Sequence, residues 1–170
     1  MKKLEVRKSN INGVGLFVNK PFKKGQIIDY IHGPKVLIKN FYNELSQSTV
    51  NWIGASRYTW INTDNSPFRF INHSCDPNTA IKGERTVYAI RALNSGEEIT
   101  IDYSLNEMEP GWSIPKCSCG SINCRGKIGP IFTLSLEEYK KKKSIINNRF
   151  KNLYLKCMKK AHEKMKEWSA

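Results

Sequence analysis

Short apolar runs that alternate with polar residues fill the first 103 residues of this 170-residue chain. Alternation with a period of two is typical of half-buried strands, and the turn residues Gly, Pro, Asn and Asp separate the runs. The pattern therefore predicts a mainly β fold. The predicted strands cover residues 4–6, 14–18, 27–31, 57–61, 79–82, 86–91 and 99–103.

The pattern changes to helical spacing after residue 134. Ser135 and Glu138 form a Ser-x-x-Glu capping box, and from Ile146 onward apolar residues recur on one helical face. A separate short helix is predicted over 40–47, with Asn40 as its N-cap. The long apolar face predicts docking on the β core or on a second copy of the chain. Its members are Ile146, Phe150, Leu153, Tyr154, Cys157, Ala161, Met165 and Trp168.

Basic residues are concentrated in this helical part. The chain has 28 Lys and Arg against 15 Asp and Glu, a net charge of +13, and residues 134–170 hold 11 − 4 = +7 of it. The run Lys140 to Lys143 is predicted near the beginning of the helix, where positive charge opposes the helix dipole, so packing or a partner must hold that end. The basic helix is compatible with weak contact to nucleic acid or an acidic partner, and equally with a solvated face.

Composition limits the class of protein further. Charged residues make up 25% and hydrophobic residues 39%, which is ordinary for a soluble domain. No apolar run approaches membrane-spanning length, and no apolar segment of a signal peptide follows the basic start. We therefore expect an intracellular protein, cytoplasmic or nuclear, with no membrane partner and with its oligomeric state open.

The densest chemistry lies in residues 69–78, Arg-Phe-Ile-Asn-His-Ser-Cys-Asp-Pro-Asn. This stretch places a cation, an amide, an imidazole and a thiol within ten residues. Turn chemistry explains the Asp-Pro-Asn end, because Asp and Asn bond to local backbone and Pro fixes φ. It does not explain the polar residues before it, which fit either a satisfied polar loop or a functional site.

Cysteine spacing predicts a metal site. Three of the five cysteines, Cys117, Cys119 and Cys124, lie within eight residues of a Gly- and Ser-rich loop. An odd number argues against a simple disulfide framework, and tetrahedral zinc takes four thiolate or imidazole ligands. Cys75 is the natural fourth ligand. Free or redox-active thiols are the alternative, and Cys157 on the helix is interpreted as a packed thiol.

Three motifs in this order resemble the SET-domain protein lysine methyltransferases with a post-SET zinc segment: residues 69–78, residues 96–103 (Gly-Glu-Glu-Ile-Thr-Ile-Asp-Tyr) and the cysteine loop. The resemblance runs from about residue 11 to 128. It implies a SET fold of small curved β-sheets with a pseudoknot, a zinc-bound post-SET loop and a C-terminal α-helix. The implied domains are a SET domain over 1–110, a post-SET zinc segment over 111–130 and a basic amphipathic helical extension over 131–170.

The resemblance also implies an S-adenosylmethionine site and assigns roles by position. Tyr103 and Tyr58 are the implied catalytic residues, and both also contact the cofactor. Trp60 and Ile101 are the implied substrate channel, and Cys75, Cys117, Cys119 and Cys124 are the implied zinc ligands. The remaining implied cofactor-binding residues are Asn12, Gly13, Val14, Gly15, Leu16, Arg69, Phe70, Asn72 and His73.

The chain departs from the family pattern at two of these positions. Val14 stands where a basic residue is more frequent, and Ile101 stands where Phe or Tyr is frequent. The implied function is methyl transfer from S-adenosylmethionine to a lysine of a protein substrate, a histone or another basic protein. The alternative is a catalytically silent SET module that binds a lysine-bearing tail or associates with nucleic acid.

Overall fold

The computed structural model describes residues 2–38, 51–56 and 58–168, with side chains as far as residue 160. The predicted helix over 40–47 lies outside these residues. The described strands are β1 (Leu4–Lys8), β2 (Val14–Val18), β3 (Ile27–Tyr30), β4 (Lys35–Leu37), β5 (Ile53–Ser56), β6 (Thr59–Ile61), β7 (Asn72–His73), β8 (Thr79–Lys82), β9 (Thr86–Ala89) and β10 (Thr100–Ile101). The α-helices are α1 (Leu136–Lys142) and α2 (Asn148–Trp168), and short 3-10 turns cover Pro67–Phe70, Tyr103–Leu105 and Ile131–Thr133.

Small sheets of two or three strands build the β part, as predicted. β1 pairs with β2, β9 lies between β3 and β8, and β6 lies between β4 and β5, all antiparallel. Sequence reasoning missed β4 and β5. β4 has three residues directly after Gly33-Pro34, and β5 contains Gly, Ala and Ser, which have little intrinsic preference for strands.

β7 and β10 form a short parallel pair that brings two of the sequence motifs together. Asn72 lies opposite Thr100, and His73 lies opposite Ile101. The strand predicted over 99–103 is therefore too long. It ends because the side chain of Asp102 accepts a hydrogen bond from the Ser104 amide, which starts the 3-10 turn with Tyr103 as its first residue. Tyr103 projects from a capped turn, not from a strand.

A single apolar cluster fills the space between the sheets. Leu16, Val18, Ile28, Ile61 and Ile99 are fully buried in it, and Tyr103 packs against its edge. Alternation explains this in β2, where Leu16 and Val18 point inward and Val14 is exposed. Burying such side chains contributes about 1.5–3 kcal/mol each, so the sheets cohere although no single sheet is large.

The C-terminal region contains two helices where the sequence predicted one docked helix. Ser135 caps α1 by accepting from the Glu138 amide at 3.1 Å, as the capping box predicts. Lys140, Lys141 and Lys142 lie in the last turn of α1, where the helix dipole favours positive charge. The expected conflict with the dipole was therefore wrong, because α1 ends before α2 begins.

The first half of α2 docks on the chain itself. Phe150 and Tyr154 are buried with Leu105, Ile131 and Tyr139, and the rings of Tyr139 and Tyr154 stack at 4.0 Å. This cluster lies next to the turn that carries Tyr103, because Leu105 is the last residue of that turn. None of the helices in the described part of the chain is long and apolar enough to cross a membrane.

Candidate active site

The turn of residues 9–15, which contains four of the five residues of the predicted cofactor segment 12–16 and is called the cofactor turn below, is held in place by Asn72. The Asn72 Nδ2 group lies within hydrogen-bonding distance of the Val14 carbonyl (3.0 Å) and the Asn12 carbonyl (3.3 Å). The Ser9 amide donates to the Gly13 carbonyl, and Gly13 has a φ of +48°, which favours glycine. Asn72 thus fixes the backbone of a turn that lies some sixty residues earlier in the chain.

Ser9 and Glu98, which sequence reasoning missed, complete this arrangement. The Ser9 hydroxyl donates to the Glu98 carboxylate at 2.8 Å, and Asn72 Nδ2 donates to Glu98 Oε1 at 2.7 Å. A Cβ atom on Gly15 would lie 2.1 Å from that same oxygen. Glycine at position 15 is therefore required for a close approach. The Glu97-Glu98 pair in the third motif is the signal that could have pointed to this residue.

Arg69 lies partly buried beside Phe70, with its guanidinium carbon 5.4 Å from the ring centroid. Its Nη1 donates to the Asp64 carbonyl at 2.9 Å. Its Nε is buried and has no hydrogen-bond partner among the described residues. An unpaired buried donor on a cation is costly, so this atom is suited to receive an anionic or polar ligand.

Tyr103 lies between the cofactor turn and the cysteine loop. Its hydroxyl donates to the Ile71 carbonyl at 2.7 Å, and its ring is 5.2 Å from that of His73 and 6.3 Å from that of Trp112. Burial, and then the charge of Glu98, raise the pKa of Tyr103 far above its usual value. The hydroxyl therefore keeps its proton at neutral pH.

The predicted substrate-channel residues Ile101 and Trp60 lie on different strands, and the predicted catalytic residue Tyr58 lies just before one of them. Ile101 is buried in the apolar core cluster, next to Tyr103. Trp60 is buried on β6, opposite Val36 and Gly54, whereas Tyr58 is 44% exposed before that strand. The roles of Tyr58 and Trp60, like those of the other predicted site residues, stay predictions.

The cysteine loop folds onto Cys75 as predicted. The sulfur atoms of Cys75, Cys117 and Cys119 and a ring nitrogen of His73 all lie within 4.8 Å of one another. Cys124 is exposed, outside this set of four, but its thiol interacts with both Cys117 and Cys119. The structure thus offers five donors for a four-coordinate ion.

Hydrogen bonding favours Cys124 over His73 as the fourth ligand. His73 Nδ1 accepts from the Tyr103 amide at 3.2 Å, and burial lowers the pKa of His73 to about 4, so the ring is neutral. A neutral imidazole accepts at only one nitrogen, so Nε2 carries the proton. That proton points to the Cys75 sulfur, 3.3 Å away. His73 is placed to donate to a thiolate.

The donor set suits zinc. Burial raises the pKa of Cys75 to about 11 and also raises that of Cys117, so these thiols do not ionise readily by themselves. Burial also opposes ionisation of Cys119, but the amides of Cys75 and Ser121 and the neighbouring thiols lower its pKa to about 7. A cation such as zinc would favour the thiolate forms of cysteines held this close together, so the cluster could hold a metal ion.

A buried charge network lies behind this cluster and was also missed by sequence reasoning. Asp102 is 1% exposed; its Oδ1 lies 2.6 Å from Arg125 Nη2, and its Oδ2 lies 3.1 Å from Lys142 Nζ. Lys142 also donates to the Cys75 carbonyl. Asp102 precedes Tyr103, and Arg125 follows Cys124, so the network joins the site to the cysteine loop and to α1.

Parallel pairing of the Asn-His strand with the strand before Tyr103, together with a cysteine loop closed by Cys75, defines a SET-type site. Residues 13–104 match the SET domain family, and the chain belongs to that family.

Similar proteins agree with this assignment. The Variant-silencing SET domain-containing protein of Plasmodium falciparum (isolate 3D7) is 33% identical over 143 residues, 73% of this chain and 6% of that protein. Histone-lysine N-methyltransferase mes-4 of Caenorhabditis elegans is 32% identical over 132 residues, 68% of this chain and 14% of that protein. Histone-lysine N-methyltransferase ASHH2 of Arabidopsis thaliana is 31% identical over 145 residues, 75% of this chain and 8% of that protein. The chain thus spans only a small part of these relatives.

Proposed function

We propose that this protein is an S-adenosylmethionine-dependent protein lysine N-methyltransferase. The observation that carries the proposal is the placement of Tyr103. Its protonated hydroxyl is fixed at 2.7 Å from the Ile71 carbonyl, between the turn held by Asn72 and the cysteine cluster. A hydroxyl and a carbonyl at this point can orient an amine and contact a methyl group through weak C–H···O bonds.

The residues present fit S-adenosylmethionine. The buried, unpaired Nε of Arg69 would meet the carboxylate of the cofactor's methionine part. The backbone of residues 12–16 would approach the cofactor closely at Gly13, which has open space beside it. Asn72 and His73 would contribute polar groups, and Phe70 an apolar wall. When bound, the cofactor supplies an electrophilic methyl group on a sulfonium.

The chain's own part in the reaction is alignment and control of a proton. A lysine ammonium in water has a pKa of about 10.4 and must lose its proton before it can attack. Neither carboxylate near Tyr103 is free to take this proton. Asp102 is paired with Arg125 and Lys142. Glu98 accepts hydrogen bonds from Ser9 and Asn72. An apolar surrounding lowers the pKa of the amine instead, and the proton passes to solvent water before the amine attacks. Alignment of the amine by Tyr103 then supplies several kcal/mol.

The substrate class follows from the relatives by analogy. Two of the relatives described above are named histone-lysine N-methyltransferases. We propose a histone or another basic protein with an exposed lysine as substrate, and hence a nuclear site of action. We further propose the division into a SET domain (1–110), a zinc segment (111–130) and a helical extension (131–170), with Ile101 and Trp60 lining the substrate channel.

The test is transfer of a radiolabelled methyl group from S-adenosylmethionine to a panel of histones and ribosomal proteins. We expect label in at least one protein, on lysine, and a loss of at least ~100-fold for Tyr103→Phe, since removing one positioned hydroxyl from a transition state costs about this much. Tyr88→Phe, on β9, is the matched control and should keep full activity. Equal labelling by Tyr103→Phe and wild type would contradict the assigned role of this tyrosine.

A further inference from the structure

Lys142, at the end of α1, is a buried lysine. Its side chain is 10% exposed, whereas the side chain of its neighbour Lys141 is 63% exposed and forms an ion pair with Glu137. Moving an ammonium group out of water is costly unless charges and acceptors compensate it. Lys142 Nζ has both: Asp102 Oδ2 at 3.1 Å and the Cys75 carbonyl. Its burial is therefore specific to this position.

The carboxylate that Lys142 meets controls the turn that carries Tyr103. Asp102 Oδ1 accepts from the Ser104 amide at 3.1 Å and caps the turn Tyr103–Leu105. The same oxygen lies 2.6 Å from Arg125 Nη2. Asp102 Oδ2 makes no hydrogen bond within the described residues, so the ammonium of Lys142 is what balances it. The orientation of this carboxylate depends on a cation on each oxygen.

The C-terminal helices also contact the last residue of the turn Tyr103–Leu105. Leu105 packs with Tyr139, Phe150 and Tyr154, and the Ile131 amide donates to the Glu107 carbonyl. The helices themselves are fixed to the β part from another direction. Arg149 lies 2.6 Å from Glu84 and donates to the Ala55 carbonyl at 3.2 Å. Lys142 is thus presented from a firmly attached element.

We propose that residues 131–155 form a positioning element for the catalytic turn, with Lys142 as its positioning residue. The proposal deepens the proposed function and rests on it. Lys142 draws Asp102 Oδ2 and the Cys75 carbonyl to one point, which sets the Asp102 cap and hence the direction of Tyr103. Without Lys142, a buried carboxylate oxygen loses its counter-ion, and the cap rotates to find another partner. Misplacement of a catalytic group by about 1 Å costs on the order of 100-fold in rate.

The experiment compares wild type with Lys142→Met, Lys142→Gln, Lys142→Arg and the matched control Lys141→Met in the zinc-loaded full chain. Thermal unfolding and calorimetric binding of S-adenosylmethionine are measured first, and kcat is then expressed per cofactor-binding site. We expect kcat to fall ~10- to 100-fold in Lys142→Met, with the cofactor Kd within about threefold of wild type. Lys142→Arg, which keeps the charge, should recover part of kcat, and Lys141→Met should equal wild type.

Two results would overturn the proposal. One is a kcat per binding site within about twofold of wild type in Lys142→Met, with only the unfolding temperature lowered, which is the behaviour of a purely structural lysine. The other is an equal loss of kcat in Lys141→Met. If Lys142→Met does not fold, Lys142→Gln decides by the same criterion, because it removes the charge, keeps an N–H donor and is one bond shorter. A wild type that binds cofactor but transfers no methyl group would instead refute the proposed function.

Discussion

Tyr103 lies between two regions that are stabilised by different kinds of interaction. On one side, hydrogen bonds from the neutral side chains of Asn72 and Ser9, with Glu98 as acceptor, hold the turn of residues 9–15. On the other side, thiols and the buried charges of Asp102, Arg125 and Lys142 hold the cysteine loop and α1. The first region is held by hydrogen bonds within the chain, whereas the second combines a cluster that could hold a metal ion with a balance of buried charges.

This difference has a direct consequence for how the two regions fail. In the first region, hydrogen bonds between neutral groups contribute about 0.5–1.5 kcal/mol each and those to the Glu98 carboxylate about 1.5–3 kcal/mol, and loss of one leaves the others in place. Removal of one member of a buried ion network leaves its partners with uncompensated charge, and removal of a structural metal releases all of its ligands at once. We therefore expect graded effects at the cofactor turn and cooperative effects at the cysteine loop.

Removal of zinc should give a larger effect than a single change in the turn of residues 9–15. Chelation should speed amide hydrogen exchange over residues 112–130 and lower turnover by ~10- to 100-fold, because the loop then loses the ion that joins it to Cys75. Exchange mass spectrometry and the transfer assay measure the two effects, and readdition of zinc should reverse both. Cys157→Ser is the matched control, since Cys157 lies on α2. Full turnover of a metal-free sample would show that the cysteine assignment is wrong.

An intermediate effect is expected for Gly15→Ala. The new Cβ would lie 2.1 Å from Glu98 Oε1, so the carboxylate must leave Ser9 and Asn72, at a cost of about 1–3 kcal/mol. Thermal unfolding and calorimetry should show lower stability and roughly tenfold weaker cofactor binding. The double variant Gly15→Ala/Glu98→Ala should recover part of the loss, because it removes the collision. Strict additivity of the two changes would contradict a steric cause.

Much of the site could be predicted because its residues occur in continuous motifs. The structure brings Asn72, His73, Cys75 and Tyr103 close together, their predicted roles stay predictions, and β2 has the predicted bounds. Glu98, Arg125 and Lys142 could not be predicted. Each acts on a residue distant in sequence or on another element, and neither periodicity nor spacing reports which buried carboxylate a lysine will meet.

Side-chain hydrogen bonds that compete with regular secondary structure explain why some predicted element bounds were wrong. The strand expected over 99–103 stops at Ile101 because the side chain of Asp102 bonds to the Ser104 amide and favours a turn. The lysines expected at the start of the long helix end α1 instead, since α2 begins only at Asn148. Both errors concern element ends, which depend on single side-chain bonds.

The smallest effect is expected from Glu107, between Tyr103 and the cysteine loop. Burial raises the pKa of this carboxyl to about 7, although the amides of Glu109 and Met108 bond to it. Between about pH 4.5 and 7 the folded state then binds more protons than the unfolded state, so the free energy of unfolding falls as pH rises. Allowing for partial exposure, the fall is about 1–2 kcal/mol.

Glu107→Gln should remove this part of the pH dependence. Denaturant unfolding at several pH values from about 4.5 to 7.5 measures it, with Glu5→Gln on the exposed face of β1 as control. An unchanged pH profile in Glu107→Gln would mean that the carboxyl is already solvated in the folded protein.

Binding of S-adenosylmethionine tests the central claim most directly, because it does not depend on knowing the substrate. The measurement is calorimetric titration of the zinc-loaded protein, compared with Arg69→Met and with the control Arg91→Met, whose side chain is exposed and paired with Glu97. We expect one site in wild type and in Arg91→Met, and ~10- to 100-fold weaker binding in Arg69→Met, since a charge-assisted bond to a carboxylate is lost. No binding by the wild type, or equal binding by Arg69→Met, would contradict it.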